Sequence, residues 1–130
     1  MPSVLILCTG NSARSQMAEG LFRHLGGAAW DVHSAGTHPS SVRPEAIAVM
    51  AELAIDLTTH RSKSVDEFQG REFDYVITVC DHAAALCPTF PGNTRRLHWP
   101  FPDPTDLASF RDVRNQIHTR IAAFLAGPTA

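Results

Sequence analysis

Cys8 ends the apolar run Val4-Leu5-Ile6-Leu7 and is followed by Thr9, Gly10, Asn11, Ser12, Ala13, Arg14 and Ser15. A thiol at a strand end, a short loop and the first turn of a helix therefore share one stretch of chain. Backbone N–H groups of such a loop converge at the helix N-terminus, where they can hold a tetrahedral oxyanion. The same field lowers a thiol pKa, into the range of about 3.5–7.5 for cysteines at helix N-termini or beside cations. Arg14 adds a planar fork that matches two oxygens of a phosphate-like group. Ser15 can cap the helix or donate to the Cys8 thiolate. A cysteine at a strand end also reads as a small core residue. Gly10, Asn11, Ser12 and Arg14 weigh against that reading, because a buried loop without a ligand needs neither polar residues nor a cation. The pattern predicts nucleophilic attack on phosphate or an oxyanion of the same shape.

Strands are expected at residues 3–7, 30–34, 73–79 and 95–99, the first and third from their unbroken apolar and β-branched runs. Helices are expected at 15–25, 44–53 and 110–125, the first burying Met17, Ala18, Leu21, Phe22 and Leu25 and ending at Gly26-Gly27. Pro44 suits the first turn of the second helix. Strands alternating with helices imply an α/β fold of three layers, a four-stranded parallel sheet with helices on both faces. No repeat, linker or low-complexity segment divides residues 1–130, so one catalytic domain is expected. Ligands of such sheets bind outside the carboxyl ends of the strands. Cys8 lies there for the first strand and Cys80 for the third. Asp103 follows the fourth, in the Pro-rich loop 100–104. Taken singly, Cys80 reads as a core residue and Asp103 as a turn residue bonded to its own backbone. Their convergence on one rim, with Cys87 seven residues beyond Cys80, favours thiol chemistry.

The chain resembles the low-molecular-weight protein tyrosine phosphatase superfamily, and within it the thioredoxin-coupled arsenate reductases. The resemblance rests on Cys8 to Ser15, Met17-Ala18-Glu19-Gly20 and Ser34-Ala35-Gly36-Thr37. It continues through Val76-Ile77-Thr78-Val79-Cys80 with Cys87-Pro88, and ends at His98-Trp99-Pro100-Phe101-Pro102-Asp103-Pro104. It implies arsenate as substrate and a relay in which Cys8 attacks arsenic, Cys80 attacks Cys8 and Cys87 attacks Cys80. Arg14 and Ser15 serve the attack, and residues 9–14 hold the oxyanion. Asp103 is the general acid, with Asp106 the fallback. Thioredoxin reduces the last disulfide. Residues 81–86 suit a short helix capped at Asp81 and limited by Pro88. Seven residues of helix span about 10 Å, whereas a disulfide tolerates a Cα separation of at most about 7 Å. That segment is therefore expected to unwind during the cycle.

Some reductases of this family hold a monovalent cation beside the loop. Asn11, Glu19 and Ser34 match such a site, but Lys63 stands where an acidic ligand is expected, so no cation is expected here. Ala13 replaces the second cysteine of many phosphatases of the family, and Thr105 replaces an aromatic residue that frames a phosphotyrosine ring. Tyr75, the only tyrosine, falls in a strand. A phosphatase and a non-enzymatic oxyanion or redox sensor are the alternative readings. No cofactor is expected. His24, His33, His38, His60, His82, His98 and His118 show no paired ligand spacing, so no metal is expected either.

A formal net charge of −2 gives no reason to expect nucleic acid or a membrane surface as partner. The N-terminal apolar run is too short for a signal peptide or a span. Three cysteines, an odd number, argue against a secreted disulfide framework and for a cytoplasmic thiol protein. A monomer is expected.

Overall fold

A computed structural model describes residues 1–127. Its elements are β1 (Ser3–Cys8), α1 (Arg14–Gly26), β2 (Asp31–Gly36), α2 (Pro44–Ala51), β3 (Tyr75–Thr78), α3 (Asp81–Leu86), β4 (Arg95–His98) and α4 (Leu107–Ala126). The strands form one parallel sheet in the order β2-β1-β3-β4. This is the α/β architecture expected from the alternation of strands and helices.

Sheet residues alternate between faces, and β3 shows which helices lie on which side. Tyr75 meets Phe124 of α4 edge to face at 5.1 Å. Its neighbour Val76 lines a cavity with Ala84 and Cys87, on the α3 side. The α1 helix packs against β1, β2 and α4, and α2 against α4. Met17, Leu21 and Phe22 are fully buried and Ala18 nearly so. Gly27 closes α1 with φ of 61°, a left-handed backbone that glycine adopts without strain. Helix α4 begins three residues ahead of the expected start. Asp106 caps it, accepting from the Ser109 N–H while the Ser109 hydroxyl accepts from the Asp106 N–H.

The chain leaves β1 to pair with β2 on one side and β3 on the other. The carboxyl ends of β1 and β3 therefore flank the point where the strand order reverses, the usual ligand position in open α/β sheets. Cys8 is the last residue of β1, and Cys80 lies two residues beyond β3.

Candidate functional site

The loop from Cys8 to Arg14 is held by its carbonyl groups. Those of Cys8 and Thr9 accept from the N–H groups of Thr37 and His38, at 3.2 and 2.9 Å. The Gly10 carbonyl accepts from the Ser40 N–H and the Ser62 hydroxyl, at 3.0 and 2.8 Å. Asn11 O accepts from Gln16 Nε2, Ser12 O from the Arg43 N–H and Ala13 O from the Met17 N–H. No cis peptide bond occurs among the described residues. In a trans peptide the N–H lies opposite the preceding C=O. Six carbonyls turned outward thus turn the N–H groups of Thr9 through Arg14 to the inner side. This is the nest that binds an anion at a helix N-terminus.

Asn11 makes the turn possible. Its φ of 48° lies in the left-handed region, which asparagine tolerates better than most residues. Its fully buried amide donates to Ser15 Oγ at 2.8 Å and Ser34 Oγ at 2.9 Å. The amide oxygen accepts from Gln16 Nε2 and the Lys63 N–H, both at 2.9 Å. Asn11 therefore serves an anion through its backbone, with its side chain committed to the scaffold. Gly36 passes so close that a Cβ would lie 2.5 Å from Thr9 O and 2.9 Å from Asn11 N. Gln16, Gly36, Ser62 and His60, whose Nδ1 donates to Gln16 Oε1 at 2.9 Å, were not among the expected site residues. A glutamine and a glutamate one turn apart on an otherwise apolar helix face were the available signal.

Ser15 is no cap. Ala13 holds the N-cap position of α1 and makes no side-chain cap, and Ser15 Oγ accepts from Asn11. Arg14 reaches across to the loop after β4. Its Nη1 donates to Phe101 O at 3.0 Å and its Nη2 lies 3.7 Å from Asp103 Oδ1. Arg14 Nε is buried with no hydrogen-bond partner in the protein. An unsatisfied buried donor costs about 1–3 kcal/mol, and a bound oxyanion would satisfy it. Asp103 is three-quarters exposed, at the mouth. Asp106 is taken up by the α4 cap, which holds its carboxyl below the usual carboxylate range and removes it as an acid at this site.

Three free cysteines complete the site. Cys8 and Cys80 are buried, and each shifts the other's titration. Cys80 is also the N-cap of α3, a place the sequence suggested for Asp81. Its Sγ accepts from the Ala83 N–H at 3.4 Å and lies 3.3 Å from Thr9 Oγ1. These donors, led by the Cys8 thiol, bring Cys80 down to about 5. Cys80, together with burial, pushes the Cys8 thiol upward against the pull of Arg14 and the Thr9 N–H. The expected low pKa is thus divided over the pair: Cys80, with the Thr9 hydroxyl and the Ala83 N–H at its sulfur, is pulled down, and Cys8 is pushed up. Cys87 is the C-cap of α3, half-buried, at the far end of the helix from Cys80.

The family's cation site does not fit these residues. Glu19 is buried and accepts from the Ser34 hydroxyl and from Arg23 at 2.6 Å, while Lys63 Nζ stands 3.6 Å away. An ammonium already faces the carboxylate that would hold the ion. His33 packs on Phe68 and Phe73, and His98 pairs with Asp81. Among the described residues no three His, Cys, Asp or Glu side chains gather as a metal site. No helix among them is long and apolar enough to cross a membrane.

Such a sheet, with a cysteine-to-arginine anion loop at its switch point, defines a phosphatase-like class. The chain belongs to the low molecular weight phosphotyrosine protein phosphatase family, whose model matches residues 3–128. It is 43% identical to an arsenate reductase of Halalkalibacterium halodurans, over 93% of each chain. A solved arsenate reductase in the phosphate-binding state superimposes with a TM-score of 0.84 at 35% identity, over 97% of this chain and 98% of that one. A thioredoxin-dependent arsenate reductase of Corynebacterium glutamicum superimposes with a TM-score of 0.81 at 28% identity, over 97% of this chain but 61% of that one.

Proposed function

We propose that this protein is a single-domain cytoplasmic arsenate reductase that runs a three-cysteine relay and is regenerated by thioredoxin. The observation that carries this reading is that Cys80, 3.3 Å from Thr9 Oγ1, stands beside the N–H cradle that Cys8 opens, with Cys87 at the opposite end of the same short helix. A hydrolase needs only the first of these thiols.

Arsenate is tetrahedral and anionic, so the N–H groups of residues 9–14 and the Arg14 guanidinium hold its oxygens. Passing the Cys8 proton to Cys80 puts the thiolate on Cys8, where Arg14 and the Thr9 N–H favour it. Cys8 attacks arsenic, an S–As bond forms, and a hydroxyl leaves as water with a proton from Asp103. Cys80 gives up its proton and attacks Cys8 Sγ. The S–As electron pair goes to arsenic, which departs as trivalent arsenite, and the two sulfurs are oxidised to a disulfide. Cys87 then attacks Cys80 Sγ, releasing Cys8 and leaving Cys80–Cys87. Thioredoxin returns two electrons to that bond. Three free thiols suit a reducing compartment, and the protein acts as a monomer.

Thioredoxin, thioredoxin reductase and NADPH test the reading. Arsenate-dependent NADPH oxidation that requires both protein partners is expected. Hydrolysis of an aryl phosphate with no arsenate-dependent oxidation would favour the phosphatase instead.

A further inference from the structure

Two residues of the edge strand β4 reach one to each end of α3. Successive side chains of a strand alternate, so Arg96 and His98 share a face. His98 Nε2 lies 2.8 Å from Asp81 Oδ1, at the first turn of α3. Arg96 Nη2 donates to Pro88 O at 2.5 Å, just past the last turn. Cys87 Sγ donates to the same carbonyl at 3.5 Å. Arg96, His98 and Cys87 also line one cavity of about 180 Å³, walled by Val76, Ala84 and Leu97. The guanidinium and the thiol thus share an acceptor and a cavity.

We propose that Arg96 is the positioning residue that prepares Cys87 to attack Cys80, by fixing the Pro88 carbonyl and placing a cation near the Cys87 sulfur. Only a thiolate attacks a disulfide at a useful rate. Half-burial pushes the Cys87 thiol up, and the Arg96 charge pulls it back. The ionisable groups facing Cys87 are Arg96 and His98 from β4. Within α3, Asp81 is engaged by His98 at the opposite end. In the exchange, Cys87 loses its proton to solvent, the Cys80–Cys87 bond forms, and the Cys8–Cys80 bond breaks with Cys8 leaving as thiolate. No net oxidation occurs. The Pro88 anchor also holds the chain just beyond Cys87 while α3 unwinds, so the sulfur meets Cys80 without a long search.

This role rests on the relay, but its test does not. Alkylation of Cys87 by iodoacetamide, mapped by mass spectrometry on the reduced full chain, reads thiolate formation directly. In R96Q the pH profile should move upward by about half a unit to one unit, and the rate at neutral pH should fall about three- to tenfold. R96K, which keeps the charge, should stay within about twofold of the parent. In single-turnover assays R96Q should slow conversion of Cys8–Cys80 into Cys80–Cys87 by a similar factor, with arsenite release unchanged. A profile in R96Q that superimposes on the parent's would overturn the proposal, as would equal shifts in R96Q and R96K. Continued turnover by a chain lacking Cys87 would instead overturn the relay, while an R96Q shift would still assign the residue.

Discussion

Thr9 Oγ1 lies 3.3 Å from Cys80 Sγ although 71 residues separate them, so the residue next to Cys8 touches Cys80. Parallel pairing of β1 with β3 aligns Leu7 with Thr78 and so brings both strand ends to one rim. Cys8 and Cys80 act as a single titrating unit with two macroscopic steps.

The first step of that titration has a measurable sign. Cys80 stands at about 5 in the folded chain, against an ordinary 9.0. Between those values the unfolded chain binds more protons at this residue, so stability rises with pH across the window and is lost as pH falls towards 5. Cys8, pushed upward, has the opposite effect above the ordinary thiol value. Urea unfolding of reduced protein should show a steeper rise between pH 5.5 and 8.5, about that range of ordinary buffers, than C80S shows. Equal slopes would mean that Cys80 is not pulled down in the folded chain.

Gly36→Ala should cripple the cradle without touching a thiol. Its Cβ meets the Thr9 carbonyl and the Asn11 nitrogen, backbone atoms that cannot swing aside. Overpacking of this kind costs about 1–3 kcal/mol. A lower urea midpoint is expected, together with loss of phosphate's protection of Cys8 against alkylation. Retained protection would mean that the loop geometry tolerates the shift.

Lys63 carries an expectation about salts. Its ammonium already faces Glu19, so replacing potassium by tetramethylammonium at constant ionic strength should leave phosphate affinity within about twofold, the scale of ordinary screening differences. Lys63→Asp would turn the same pocket acidic, and its phosphate affinity should then depend on potassium. Potassium dependence in the parent chain would show that Lys63 does not fill that role.

Helix α3 should open in the oxidised protein. Six residues between its caps make a marginal helix, and its N-cap sulfur is consumed when Cys80 forms a bond. Amide exchange of residues 80–90 should be faster in the Cys80–Cys87 form than in the reduced form. Equal protection in both would mean that the two cysteines already lie within bonding range.

Much of this was legible in local pattern. The run Val4 to Leu7 and the β-branched residues before Cys80 identify buried strands, and alternation with helices implies a parallel sheet whose strand ends meet. Cys8, Arg14 and Cys80 could be brought together on that basis. The roles of Asn11, Gln16 and Gly36 could not, because each depends on which backbone passes beside it in three dimensions. Ser15 reads as a helix cap or as a donor to Cys8, yet Ala13 holds the N-cap position and Ser15 Oγ accepts from Asn11. Asp81 reads as the cap of α3, yet the Cys80 sulfur accepts the Ala83 N–H. The order of the two thiol pKa values follows from counting donors at each sulfur, a count that only the packed structure supplies.

The most direct test of the relay is the stoichiometry of Cys87→Ser in a single-turnover experiment with arsenate and no external thiol. The reduced variant should release about one arsenite per chain, as one dithiol supplies one electron pair, and then stop with Cys8 and Cys80 joined, detectable by peptide mapping. Thioredoxin and its reductase should not restore steady turnover, because the disulfide stays beside the cradle. Sustained thioredoxin-linked reduction of arsenate by Cys87→Ser would contradict the relay.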